Sequence, residues 1–434
     1  MKIKTTFDLR IAAIAGLLLT GLGLSYVLPA TEKSSVVQSS YPAQACPFVS
    51  AAGTTTAYLP AAKLRLRSID GTTTNFHGTK FSSIPLGSSA ILVDSNPGTS
   101  LSYSQLASSG IALVPCSAGK PDEWFIGGSG GVTSKGVLDL VNSGLSGSIV
   151  DIFAYTSKGA LPLRSVTVKA NSSASISLDS LAPGDDSIAL HVVTRTGRVS
   201  AFLLDIRSKG LRKLGIDYVK QSEAPNTRLF ISGLYPNTGS KSSVVNSLRI
   251  LNPGTLDATM KVHVLSSDGS FIPVGFDELT VKPGLAKTLP LENLRTSSAF
   301  GLAIESDHPI LAGVLTTNGS ADFGWAAPSP ALDTVTMNFG GNTPLVTFIG
   351  NTISVKVSGR FVTGKRFNET VSGADIAFWA PKVGVQTVNF RASGSGIYAG
   401  ALVKGGGLTY IPIANGATIE NTALPFNDVH TLTH

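Results

Sequence analysis

The chain has 434 residues, long enough for about three domains, and 42% of them are hydrophobic, which excludes general disorder. Only 14% are charged, against roughly 25% in ordinary soluble domains, and the formal net charge is +7. With 46 glycines and abundant Ser, Thr and Val, long Ala/Glu/Lys/Leu-rich helices are excluded and an all-β chain is expected.

Residues 1–10 form a basic head with Lys2, Lys4 and Arg10. The uncharged run 11–28, IAAIAGLLLTGLGLSYVL, has 18 residues, about the minimum for one transmembrane helix. Positive charge before it holds that end in the cytoplasm, so a single-pass signal anchor in the cell membrane is expected, with the bulk extracytoplasmic. The alternative is secretion after cleavage of a signal segment. The candidate site ending at Ala30 is a poor match, because Leu28 stands where a small residue belongs. Residues 31–45, TEKSSVVQSSYPAQA, form a polar linker.

Cys46 and Cys116 are the two cysteines, and both come after the apolar run. A disulfide suits an oxidising compartment; two free buried thiols are the alternative. Two cysteines without a His-x-x-His or Cys-x-x-Cys spacing do not make a zinc site, and neither a metal nor a cofactor is expected.

Internal repeats organise the remainder of the chain. EWFIGG (123–128) matches RLFISG (228–233) and TFIGN (347–351). LDLVNSG (138–144) matches LRILNPG (248–254), aligning Asn142 with Asn252 and Gly144 with Gly254. Paired stretches with apolar alternation come next, and GRVSAFLL (197–204), HPILAGVL (308–315) and GIYAGALV (396–403) share a cadence. The expected modules are a divergent first β module at 46–123, β repeat 1 at 124–226, β repeat 2 at 227–333, a shorter β repeat 3 at 334–412, and a tail at 413–434. Short strands separated by Gly, Pro, Asn, Asp and Ser turns favour tandem immunoglobulin-like β-sandwiches; a β-propeller built from the repeats is the alternative.

The stretches Trp124 to Gly128, Leu248 to Gly254 and Ser306 to Gly313, with LAPGDD (181–186) and the ALHVVTRTGRV after it, resemble exported repeats of actinobacterial and chloroflexal surface proteins. The part beyond the anchor is similar to the actinobacterial family of unknown function numbered 5719, well over 46–330 and loosely beyond. The resemblance implies an envelope location and no known activity.

Catalytic motifs fare poorly. Gly127-Gly128-Ser129-Gly130-Gly131 matches a nucleophile elbow, but the VTSKGVLDLV after it lacks helical period, so a glycine turn is expected. Ser117-x-x-Lys120 lacks partner motifs, and Gly359 to Lys365 imitates a phosphate loop but has Arg366 where a hydroxyl residue belongs. Asp185 and Asp186 fit a turn better than paired catalytic carboxylates. His191 and His263 fall within predicted strands.

Trp124 and Trp325 lie near module ends and are expected to pack between modules; with Trp379, they could otherwise serve as surface platforms for sugars. The basic run Arg207, Lys209, Arg212, Lys213 and Lys220 reads as a solvated loop or as a contact for anionic envelope polymer. No aromatics interleave with it, so nucleic acid is not an expected partner. The leading expectation is a non-enzymatic structural or interaction protein of the cell envelope, facing cell-wall polymer or envelope proteins and lacking a buried polar cluster. The alternative is a carbohydrate-binding module or an accessory to an envelope-glycan enzyme.

Overall fold

In the strand Ala258–Ser266, Ala258, Met260, Val262 and Val264 are buried while Thr259, Lys261 and His263 turn outward. This period of two puts one side of each strand against a core and leaves the other for solvent or a neighbour. The computed structural model describes residues 44–415 apart from 49–52, 70, 79, 88, 95–99, 108–109, 239–242, 292–293 and 320–321, together with Thr20. The expected head and anchor (Thr20 aside), the linker before residue 44 and the tail beyond 415 lie outside the described residues.

The chain is all-β. Among the described residues the one complete helix is the four-residue Leu178–Leu181, and no helix is long and apolar enough to cross a membrane. The strands fall into four successive groups. The first makes two four-stranded sheets, the second of which ends in the edge strand Gly110–Pro115. The next runs from Asp122–Phe125 to Gln221–Ser222 in a six-stranded and a four-stranded sheet, the latter ending in Arg212–Val219. The third runs from Asn226–Leu234 to Asp322–Ala326 and is joined by one 19-residue strand, Phe300–Asn318, which pairs with Ala258–Ser266 through its first half and with Val244–Leu251 through its second. The fourth, from Thr334–Asn338 to Leu408–Pro412, hangs on the 18-residue strand Pro344–Phe361.

Each core borrows from the next group. Leu64, Leu92 and Tyr103 of the first pack with Phe202 and Tyr218 of the second. Leu140 and Ile152 of the second pack with Phe323 and Trp325 of the third. Leu248 and Val262 of the third pack with Leu402 and Tyr410 of the fourth. The core of the fourth takes in Leu113 of the first. The edge strands trace the same circuit: Gly110–Pro115 lies beside Arg212–Val219, which lies beside Asp322–Ala326, then Leu408–Pro412, which returns to Gly110–Pro115.

The asparagines aligned by the repeats make equivalent knots. Asn142 Nδ2 donates to the carbonyls of Ser146, Val168 and Lys169, and its Oδ1 accepts Gly144 N–H at 2.8 Å. Asn252 repeats this with Leu256, Val281 and Gly254. Asn338 takes Gly340 N–H in the same way, but its amide reaches Tyr58 O at 2.9 Å, tying the last group to the first. Cys46 and Cys116 form a disulfide across a sequence separation of 70.

Candidate functional site

An edge strand presents unpaired N–H and C=O groups, and here four such edges meet away from water. The molecule satisfies some of them with buried ionisable side chains, contrary to the expectation of a core without a polar cluster. Asp217 on Arg212–Val219 accepts Trp325 N–H through Oδ2 at 2.8 Å and the Thr409 hydroxyl through Oδ1 at 2.6 Å, joining the second, third and fourth groups. Lys220 Nζ lies 2.9 Å from Asp217 Oδ1 and donates to Tyr218 O at 2.7 Å. Asp322 accepts Leu408 N–H, and its carboxylate leaves no room for a Cβ on Gly110, Gly215 or Gly407, one glycine from each of the other groups. Reading residues one neighbourhood at a time misses this cluster, because Asp217 and Thr409 are 192 positions apart.

Burial sets the electrostatics. It pushes Asp217 up to about 6 against the opposing pull of the Lys220 charge, and pushes Asp322 up to about 7, with Asp217 adding to the rise. Burial lowers Lys220, and the Asp217 charge resists. A cavity of about 100 Å³ lies against Lys220, Tyr218 and Cys116, lined also by apolar Val114, Phe125 and Leu203. Among the described residues no cluster of His, Cys, Asp and Glu could hold a metal.

Nearby, Arg249 of the third group reaches into the second, donating to Gly128 O at 2.6 Å, Ile188 O at 2.9 Å and Asp186 O at 2.6 Å. Its guanidinium lies 4.9 Å from the centre of the Trp325 ring. Burial and the Arg207 charge lower Arg249 to about 9. Asp205 accepts Trp325 Nε1–H at 2.9 Å and the Ser134 hydroxyl at 2.8 Å.

All three tryptophans are buried: Trp325 is 1% exposed, Trp379 5% and Trp124 7%. Trp325 sits between the second and third groups, whereas Trp379 lies within the fourth, its Nε1–H on Glu369 at 3.0 Å. Trp124 is covered by the His191 ring, stacked at 3.7 Å, and Nε2 of that histidine is 3.0 Å from Asp122 Oδ1 but outside hydrogen-bonding geometry. With Tyr155, Pro253 and His308 this pair lines a groove of about 520 Å³ between the second and third groups.

The basic run divides. Arg207 turns inward, its Nε 2.9 Å from Asp205 Oδ2 and its guanidinium over Phe323 and Trp325, which leaves its side chain 19% exposed. Lys220 belongs to the buried cluster. Arg212 and Lys213 are exposed at the hairpin end, and the Lys209 side chain is outside the described set. The catalytic look-alikes take local roles. The Ser129 hydroxyl donates to Asp186 at 2.8 Å and accepts Gly131 N–H within a turn. Ser117 donates to Ala118 O at 2.9 Å, not to Lys120. Asp185 accepts Ser187 N–H at 2.8 Å, as a turn aspartate does. Residues 359–365 close the hairpin between Pro344–Phe361 and Arg366–Trp379, with Gly364 N–H on Phe361 O at 2.8 Å.

No curated protein matches the chain. A solved structure described as the tetra-tandem repeat in the extending region of a large adhesion protein aligns with 87% of this chain and 95% of its own at 13% identity. Its TM-score of 0.11 carries no argument about the fold. A family model matches residues 96–371, more than half of the molecule. The chain therefore belongs to the family of unknown function DUF5719.

Proposed function

We propose that this chain is a non-enzymatic structural or interaction protein of the bacterial cell envelope, membrane-anchored through residues 11–28 with its strands on the outer side. We read the four groups as paired-sheet modules of sandwich type joined into a closed ring. The observation that carries the reading is the use made of the buried charges: Asp217 and Asp322 hold the backbone of neighbouring edge strands, and Lys220 is spent on Asp217 and on Tyr218 O of the strand it follows. The cavity beside Lys220 is small, about 100 Å³. Buried tryptophans speak against sugar platforms, and the disulfide supports an oxidising compartment. Such a ring is a stiff scaffold that offers its polar strand faces to partners.

Full-length protein in detergent micelles, incubated with isolated envelope fractions, tests this. Retention of wall polymer or of an envelope protein, without release of soluble saccharide, is expected. Saccharide release that Asp217→Asn abolishes, or no retention at all, would overturn the proposal.

A further inference from the structure

The sheet of the fourth group has one buried face, carrying Val355, Val357 and Phe390, and one outward face of different chemistry. Residues directly opposite in antiparallel strands project to the same side. Arg360 stands opposite Arg366, and Ser358 opposite Asn368. Across the other neighbour, Lys356 stands opposite Arg391 and Ser358 opposite Asn389. The outward face therefore carries two like-charged pairs with hydroxyl and amide groups between them. The four cations are exposed, and among the described residues no ion pair engages any of them. Glu369, on the neighbouring strand, points to the other side and is held by Trp379. Asp333 lies at the rim, where its carbonyl pairs with Ala392 N–H.

Like charges directly opposite destabilise a sheet, so this arrangement works against folding unless an anion neutralises it. Pro60 and Ala61 of the first group wall one side, and with Ser358, Arg360, Arg366 and Asn389 they enclose a groove of about 470 Å³. Lys356 and Arg360 are four residues apart on one strand, about 13 Å. Two dicationic clamps at that distance suit two charges on one polymer rather than a single small anion. Guanidinium forks match phosphate, as they match carboxylate, in two parallel hydrogen bonds. The paired positions of this face carry no aromatic ring, and Phe367, which also lines the groove, is packed against Phe361 and Trp379 rather than free to stack on a base.

We infer that the outward face built from Lys356, Ser358, Arg360, Arg366, Asn389 and Arg391 binds an acyclic phosphodiester polymer, a polyol-phosphate chain. The inference rests on the envelope reading above and names the polymer class for it. It also moves the anionic contact from the 207–213 run to three strands whose cations are scattered in sequence.

The test is calorimetric titration of the full-length protein in micelles with poly(glycerol phosphate), beside polygalacturonate and single-stranded DNA. Arg360→Ser/Arg366→Ser is expected to weaken polyol-phosphate binding at least about tenfold, and Arg360→Lys/Arg366→Lys less, because charge survives but the fork is lost. Arg212→Ser/Lys213→Ser, which removes equal charge elsewhere, is expected to bind as wild type. Binding should fall steeply by about 0.5 M salt. Unchanged binding by a folded Arg360→Ser/Arg366→Ser variant, or equal affinity for polygalacturonate or DNA, would overturn the assignment. Retention of wall material without affinity for the polyol phosphate would overturn this inference alone; retention of neither would overturn the envelope reading as well.

Discussion

Glu123 is buried beside Trp124, with Oε2 accepting Ala201 N–H at 3.0 Å and Oε1 without a partner. Burial pushes its carboxyl from 4.5 up to about 8. The folded pKa lies above the unfolded one, so the protonated form favours folding. That contribution is complete below pH 4.5 and is lost as the pH rises to about 8. Glu123→Gln keeps an acceptor for Ala201 and removes the titration. Melting midpoints of variant and wild type should converge near pH 5, with the variant higher at pH 8 and above; parallel profiles would contradict the assignment. Asn142 and Asn252 lead to a different expectation. Either one changed to Ala removes the amide donor from two or three backbone carbonyls of the turn and adjoining strand and should cost about 2–3 kcal/mol in denaturant unfolding. These asparagines were legible because the motif repeats with its glycine two residues on. Glu123 was not, because its partner is 78 positions away.

Strands and their edges carry the next expectations. Asp217→Ala removes the acceptor for Trp325 N–H and strands the Lys220 ammonium, so a loss of about 3–5 kcal/mol is expected by equilibrium unfolding. If Asp217 mattered only as an ion-pair partner, Asp217→Leu/Lys220→Met would restore stability. It is expected not to, because the Trp325 amide and the Thr409 hydroxyl stay without their acceptor. Opening the disulfide with Cys46→Ser/Cys116→Ser frees a loop spanning a separation of 70 and should cost about 4 kcal/mol. Alternation and turn residues made the strands readable, but not their lengths. HPILAGVL (308–315) is the latter half of Phe300–Asn318, which runs through Ser306 and Asp307 because Ser306 keeps its register opposite Met260. Local turn propensity gave way there to tertiary pairing.

The all-β class, the repeats and the disulfide could be read from residue order alone. What escaped was the return of the last group to the first, since the Asn338–Tyr58 bond spans 280 positions and no local pattern marks it. The buried polar cluster escaped for the same reason. Charge runs misled in both directions: Arg207 stands in a visible run yet turns inward, while Lys356, Arg360, Arg366 and Arg391 form one face without forming a run. Cores that each borrow from the next group imply that no group melts alone. Scanning calorimetry of the full-length protein, with and without Asp217→Ala, tests this most directly. One transition is expected for the strand groups, with calorimetric and van 't Hoff enthalpies in agreement, and the substitution should move it as a whole. Separate transitions, with the disulfide-bonded group melting unchanged in the variant, would contradict the closed ring.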